Sequence, residues 1–164
     1  MVVESSTTEI NWSGMMKIGV MNGPNLDRLG KREPGIYGRQ TLTDILDHLR
    51  KKSTSAQAEL VDFQSASEGL LVDKIHEWTD HHLDGLLINA GALSHTSISL
   101  HDAIKASSLP AIEVHLSHVH GREEFRHHSM IAPACVGFVS GFGPKSYELA
   151  LEGLLTMIQQ KDRT

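Results

Sequence analysis

The chain carries one cysteine, Cys135, so no intrachain disulfide can form. A lone thiol fits a reducing compartment, and the cytoplasm is the expected location. No stretch approaches the roughly 18 apolar residues of a membrane span. Basic residues are in the minority: the formal net charge is −5 and the lysines and arginines are scattered, which argues against a nucleic-acid surface. Residues Met1 to Gly14 contain Glu4 and Glu9, no Lys or Arg, and no apolar block, so they do not read as a signal peptide. Met15-Met16 offers a second plausible start. The expectation is an N-terminal extension over 1–15 and a single domain over 16–164.

Several chemistries are missing as well. No Gly-rich loop carries the Lys and Ser/Thr that cradle phosphates, and Gly141-Phe-Gly-Pro144 lacks dinucleotide spacing. There is no Gly-x-Ser-x-Gly elbow. Five histidines lie between Glu113 and Ser129, and His115, His118 and His120 are the ones to weigh as metal ligands. An expected turn separates His115 from His120, no Cys assists, and the metalloprotease helix pattern is absent, so no metal is expected.

What is present is alternation. Apolar runs at Lys17–Met21, Glu59–Phe63, Gly85–Asn89, Ala111–His115 and Val136–Ser140 read as strands buried on both faces. Helical periods lie between them: Leu42, Ile45, Leu46, Leu49; then Leu71, Ile75, Trp78; then Ile98 to Ser107, ending before Pro110; then Ser146 to Gln159, with Tyr147, Leu151, Leu154 and Ile158 on one stripe. Ser65-Ala-Ser-Glu68 reads as a capping box for the second of these helices. Cys135 reads as a buried strand residue. Strands alternating with helices imply an α/β fold with a doubly wound, five-stranded parallel sheet, and the flavodoxin-like order 2-1-3-4-5 is expected.

Polar residues gather where the strands end. The first strand runs into Asn22-Gly-Pro-Asn25-Leu and a connection of roughly 16 residues without a helix pattern, a length usual in functional lids or disordered linkers. The third ends in Asn89-Ala-Gly-Ala-Leu-Ser-His95, the fourth in Glu113-Val-His115-Leu-Ser117-His118 and on to Arg126-His-His-Ser129. Open α/β sheets bind ligands at that edge, so a cleft is expected there.

Taken together and in this order, Asn22-Gly-Pro-Asn-Leu, Gly30-Lys-Arg-Glu-Pro-Gly-Ile-Tyr37-Gly, Gln64-Ser with Ser67-Glu-Gly, Ile88-Asn-Ala-Gly-Ala-Leu-Ser-His-Thr-Ser, and Glu113-Val-His-Leu-Ser with Arg122-Glu-Glu-Phe-Arg-His-His-Ser resemble the type II 3-dehydroquinate dehydratases. The resemblance runs from about Met16 to Gln159. It implies a hydro-lyase that turns 3-dehydroquinate into 3-dehydroshikimate and water through an enolate, in the shikimate route, with a flavodoxin-like fold and no metal or organic cofactor. It also implies a homododecamer of four trimers, and neither nucleic-acid nor membrane partners.

The same resemblance distributes roles. Tyr37 is implied as the base, Arg32 as the cation that activates it, Asn25 as the holder of a water against the enolate oxygen. His115 is implied as the general acid, with Glu113 orienting it. Positions i and i+2 on a strand face one side, so that spacing suits a pair acting together. Substrate grip is implied for Asn89, His95 and Arg126, for the backbone amides of Leu116 and Ser117, and for Asp102, which would reach a neighbouring subunit's site. The reaction needs such a set: a base for the proton beside the ketone, a stabiliser for the enolate, and an acid for the departing hydroxyl. A neutral phenol, with its pKa of about 10, is a poor base unless cations favour its anion. His118, Ala66, His101 and Ser146 depart from the usual pattern. On the residues alone, a flavodoxin-like binding module and an enzyme for a related polyhydroxy ring acid stay open beside this reading.

Overall fold

The computed structural model describes residues 14–31, 34–37 and 39–161. The expected extension over 1–15 therefore lies almost wholly outside the described residues. Five strands form one parallel sheet: β1 (Met16–Asn22), β2 (Ala58–Gln64), β3 (Gly85–Asn89), β4 (Ala111–His115) and β5 (Gly137–Ser140). Their order is β2-β1-β3-β4-β5, as the sequence leads one to expect. α1 (Pro34–Tyr37) is a single turn, and α2 (Leu42–Ser55), α3 (Glu68–Asp80), α4 (Ile98–Ser107) and α5 (Lys145–Lys161) are the helices that cover the sheet.

Strand side chains alternate between faces, and this divides the core in two. Ile18 and Val20 of β1, Leu87 of β3 and Val114 of β4 pack with Leu49 of α2 and Tyr147, Leu151 and Leu154 of α5. Met21, Leu86 and Ile88 point the other way, onto Leu71, Ile75 and Trp78 of α3 and Leu100 and Ile104 of α4. Both faces of β3 and β4 are buried, which explains their unbroken apolar runs.

Three local expectations are corrected. The N-cap of α3 is Ser67, whose side chain accepts from the Leu70 N–H, whereas Ser65, two residues earlier, accepts at Oγ from the Ser67 N–H. The reciprocal capping box sits instead on α2, between Thr41 and Asp44. The connection after β1 is not featureless: Leu26–Arg28 forms a 3-10 turn and Pro34 opens α1, where a fixed φ and a missing N–H suit the first helical position. Cys135 is half-buried and precedes β5 rather than lying within it.

The sheet's carboxyl edge is built by backbone closeness. In register, Asn22 at the end of β1 lies between Gln64 of β2 and Asn89 of β3. The next residue, Gly23, donates its N–H to the Asn89 carbonyl at 2.8 Å, and a Cβ there would sit 2.3 Å from the Ala90 carbonyl oxygen. Only glycine lets the two loops touch in this way.

Candidate active site

One cleft opens at this edge. Asn25, Asn89, His95, His115, Leu116, Ser117 and Arg126 line it together, as does Arg122. Asn25 follows Pro24 in the left-handed conformation, with φ of 69°, and starts the 3-10 turn. Asn tolerates that conformation better than most residues, so Asn25 both shapes the loop and faces the cleft.

Glu113 and His115 occupy alternate positions of β4, both buried. His115 Nε2 lies 2.6 Å from Glu113 Oε1. A carboxylate can only accept, so Nε2 carries the hydrogen and Nδ1 remains for a bound molecule. The His95 ring stacks near that of His115, with centroids 6.0 Å apart, and Phe138 of β5 approaches from another side at 5.5 Å. Glu113 is absent from the main cleft's lining. It bounds an adjoining hollow that shares His95, His115 and Arg126 and adds Ser129 and Phe138.

His95 Nδ1 lies 2.8 Å from the His128 carbonyl, which fixes the hydrogen on Nδ1 and leaves Nε2 as an acceptor. Burial holds its pKa below the usual histidine range, the bond to His128 opposes this, and the nearby His115 and Arg126 push it down further. His95 is therefore a neutral hydrogen-bonding ring rather than a cation. Arg126 stacks its guanidinium 4.9 Å from the Phe125 ring centroid and donates Nε–H to Glu123 at 2.9 Å.

Asn89 is held from behind. Its Nδ2 donates to the Tyr147 hydroxyl at 3.0 Å, its Oδ1 accepts from the Gly91 N–H at 3.2 Å, and the Tyr147 hydroxyl donates to Asn22 Oδ1. Tyr147 is fully buried, and burial pushes its phenol well above the usual tyrosine range against the pull of Asn89. Of the two tyrosines in the chain, Tyr147 is thus a neutral strut and no candidate base.

Some expected residues stand apart. Arg32 lies outside the described residues. Tyr37 ends α1, and its side chain lies outside them too. Asp102 is exposed on α4 and lines neither hollow, so a single chain does not bring it to the others. The departure at His101 is absorbed within the chain, its Nδ1–H donating to the Met130 carbonyl at 2.8 Å. His118 is exposed, and its ring lies 6.2 Å from that of His120. Among the described residues no group of three or more His, Cys, Asp or Glu is arranged to hold a metal ion. The Cys135 thiol is pushed up to about 12 by burial and by the charge of Glu113, against a bond to the Glu113 backbone, which makes it inert near neutrality. No helix among the described residues is long and apolar enough to cross a membrane.

Sequence reading missed three contributors. Arg122 stands in the quoted motif but has no spacing that marks it as facing the cleft. Tyr147 reads simply as core. Ser129 lies 16 residues from Glu113, yet its hydroxyl reaches both carboxylate oxygens, at 2.9 and 2.8 Å.

The sheet order defines a doubly wound α/β protein, and the buried Glu113–His115 pair lies beside a polar cleft at the carboxyl edge of its sheet. Residues 16–155 match the family model for class II dehydroquinase, and the chain belongs to that family. It is 52% identical over 144 residues to a 3-dehydroquinate dehydratase of a Nostoc species, a match spanning 88% of this chain and 97% of the relative. It is 56% identical over 137 residues to one of Rhizobium johnstonii, spanning 84% and 94%. The crystal structure of type II dehydroquinase from Butyrivibrio crossotus superposes with a TM-score of 0.84 at 42% identity, over 85% of this chain and 97% of that one.

Proposed function

We propose that this chain is a type II 3-dehydroquinate dehydratase, a hydro-lyase converting 3-dehydroquinate into 3-dehydroshikimate and water on the shikimate route. The observation that carries the reading, beside family membership, is the buried Glu113–His115 pair at 2.6 Å beside a cleft lined by Asn25, Asn89, His95 and Arg126.

In this reading the Tyr37 phenolate, its charge favoured by Arg32, takes the proton alpha to the ketone, and the carbon–hydrogen electron pair moves into an enolate. Asn25 holds a water against the enolate oxygen. The enolate then reforms the ketone, expels the beta hydroxyl, and His115 gives that hydroxyl its proton to complete water, with Glu113 supporting the imidazolium. The backbone amides of Leu116 and Ser117 take the substrate carboxylate. Asn89 and His95 meet ring oxygens, His95 as an Nε2 acceptor for a hydroxyl hydrogen. Arg126 supplies a guanidinium, and Arg122 a second on the same wall.

The reading extends to the whole protein: one catalytic domain over 16–164, a cytoplasmic location, and a homododecamer of four trimers in which Asp102 serves a neighbouring site. Exposed Phe125, which stacks on Arg126, and Phe138, beside His115, support a covered face there. The test is direct. Purified protein with 3-dehydroquinate should develop the ultraviolet absorbance of a conjugated enone, without added metal or nucleotide. A folded assembly that gives no signal overturns the proposal and favours a binding module.

A further inference from the structure

Glu113 is fully buried, and a carboxylate removed from water needs donors on both oxygens. His115 supplies one, to Oε1. Ser129 Oγ sits between the two oxygens, 2.9 Å from Oε1 and 2.8 Å from Oε2. The same Oγ accepts the Ala132 N–H at 3.0 Å, which leaves the hydroxyl hydrogen to go to the carboxylate. A third contact, to the Ser94 carbonyl at 3.4 Å, is too long to compete.

The serine is itself held in place. The Met130 N–H donates to the Ser94 carbonyl at 2.7 Å, and His95 Nδ1 donates to the His128 carbonyl at 2.8 Å. Residues on both sides of Ser129 are thus fastened to the 3-10 turn Gly91–His95 that carries one of the cleft histidines.

We infer that Ser129 is a positioning residue for the acid step, its hydroxyl bracing the Glu113 carboxylate so that Oε1 meets His115 Nε2 in line. This rests on the reading of Glu113 and His115 as the acid pair. Without the brace, Oε2 keeps no donor among the described residues, and the carboxylate is free to turn away from the imidazole. A hydroxyl that merely capped the turn Ala132–Ala134 would steady the loop but would not act through Glu113.

Kinetics and histidine NMR separate these roles. Ser129→Ala should keep its circular dichroism and its assembly mass while kcat falls roughly ten- to hundredfold and KM stays within about threefold. Ser129→Thr, which keeps the hydroxyl, should restore most of the rate. Ser129→Cys, a near-isostere with a weak donor, should behave as alanine does and serves if the alanine variant fails to fold. The His115 Nε2–H resonance should move upfield in both weak-donor variants as its bond to Glu113 lengthens. On a Glu113→Gln background, Ser129→Ala should change kcat by less than about twofold. A Ser129→Ala rate within about twofold of wild type, or an equal loss on both backgrounds, overturns the role of Ser129 and leaves the acid pair standing. A wild-type rate for Glu113→Gln overturns the acid pair and this inference with it.

Discussion

His95 shows how one hydrogen bond sets a side chain's chemistry. The His128 carbonyl takes the Nδ1 hydrogen, and burial keeps the ring from gaining a second. Its folded pKa lies below the unfolded value of about 6.5, so in the window below that value the unfolded chain binds more protons than the folded one. The contribution to stability is fully present above about pH 6.5 and is lost as pH falls through the lowered folded pKa. Urea unfolding followed from pH 7.5 down to pH 5 should therefore steepen in its loss of stability for wild type relative to His95→Gln, and parallel curves would contradict the assignment. Tyr37 belongs to the same scale. Tyr37→Phe should fold and assemble yet lose turnover by roughly 10²–10⁴-fold, the usual worth of a general base. A rate within tenfold of wild type would remove it from that role.

At the scale of elements, α5 stabilises the edge it does not belong to. Through Tyr147 it ties the last residues of β1 and β3 together, one bond to Asn22 and one from Asn89. Tyr147→Phe leaves a buried amide oxygen without its donor and a buried amide nitrogen without its acceptor. That should cost about 1–3 kcal/mol in denaturant unfolding and raise KM, because Asn89 loses the contact that orients its amide. A change below about 0.5 kcal/mol would mean the amides find other partners. Gly23→Ala should be worse for folding, since its Cβ would meet backbone, which cannot swing aside. These cases also mark what the sequence carries. The strands and the stripe of α5 are legible because burial on fixed faces imposes a period, and β3 and β4 match residue for residue. Ser65 misleads because its neighbour Ser67 holds the cap, and composition cannot choose between two hydroxyls two residues apart. The hidden roles of Tyr147 and Ser129 arise from contacts 125 and 16 residues distant, where no local pattern reaches.

At the scale of the whole molecule, the place where Asp102 acts decides how a site is built. It is exposed on α4, away from the cleft of its own chain, and within a monomer it has no evident reason to affect turnover. If it serves a neighbour, every site is composite: Tyr37 and His115 from one chain, Asp102 from the next. Two variants should then complement each other. Asp102→Ala homo-oligomers have intact bases but no partner acid, and Tyr37→Phe homo-oligomers have the reverse. Unfolded together in equal amounts and refolded, they should assemble, in the proposed trimer, with some Asp102→Ala chains beside a Tyr37→Phe neighbour. Random assembly makes about a quarter of the sites complete. The mixture should recover roughly that fraction of wild-type turnover, above the sum of the two parents, with the same mass by analytical ultracentrifugation. An Asp102 that acted on its own cleft, or only steadied α4, would give no recovery, because no chain in the mixture would carry both intact residues.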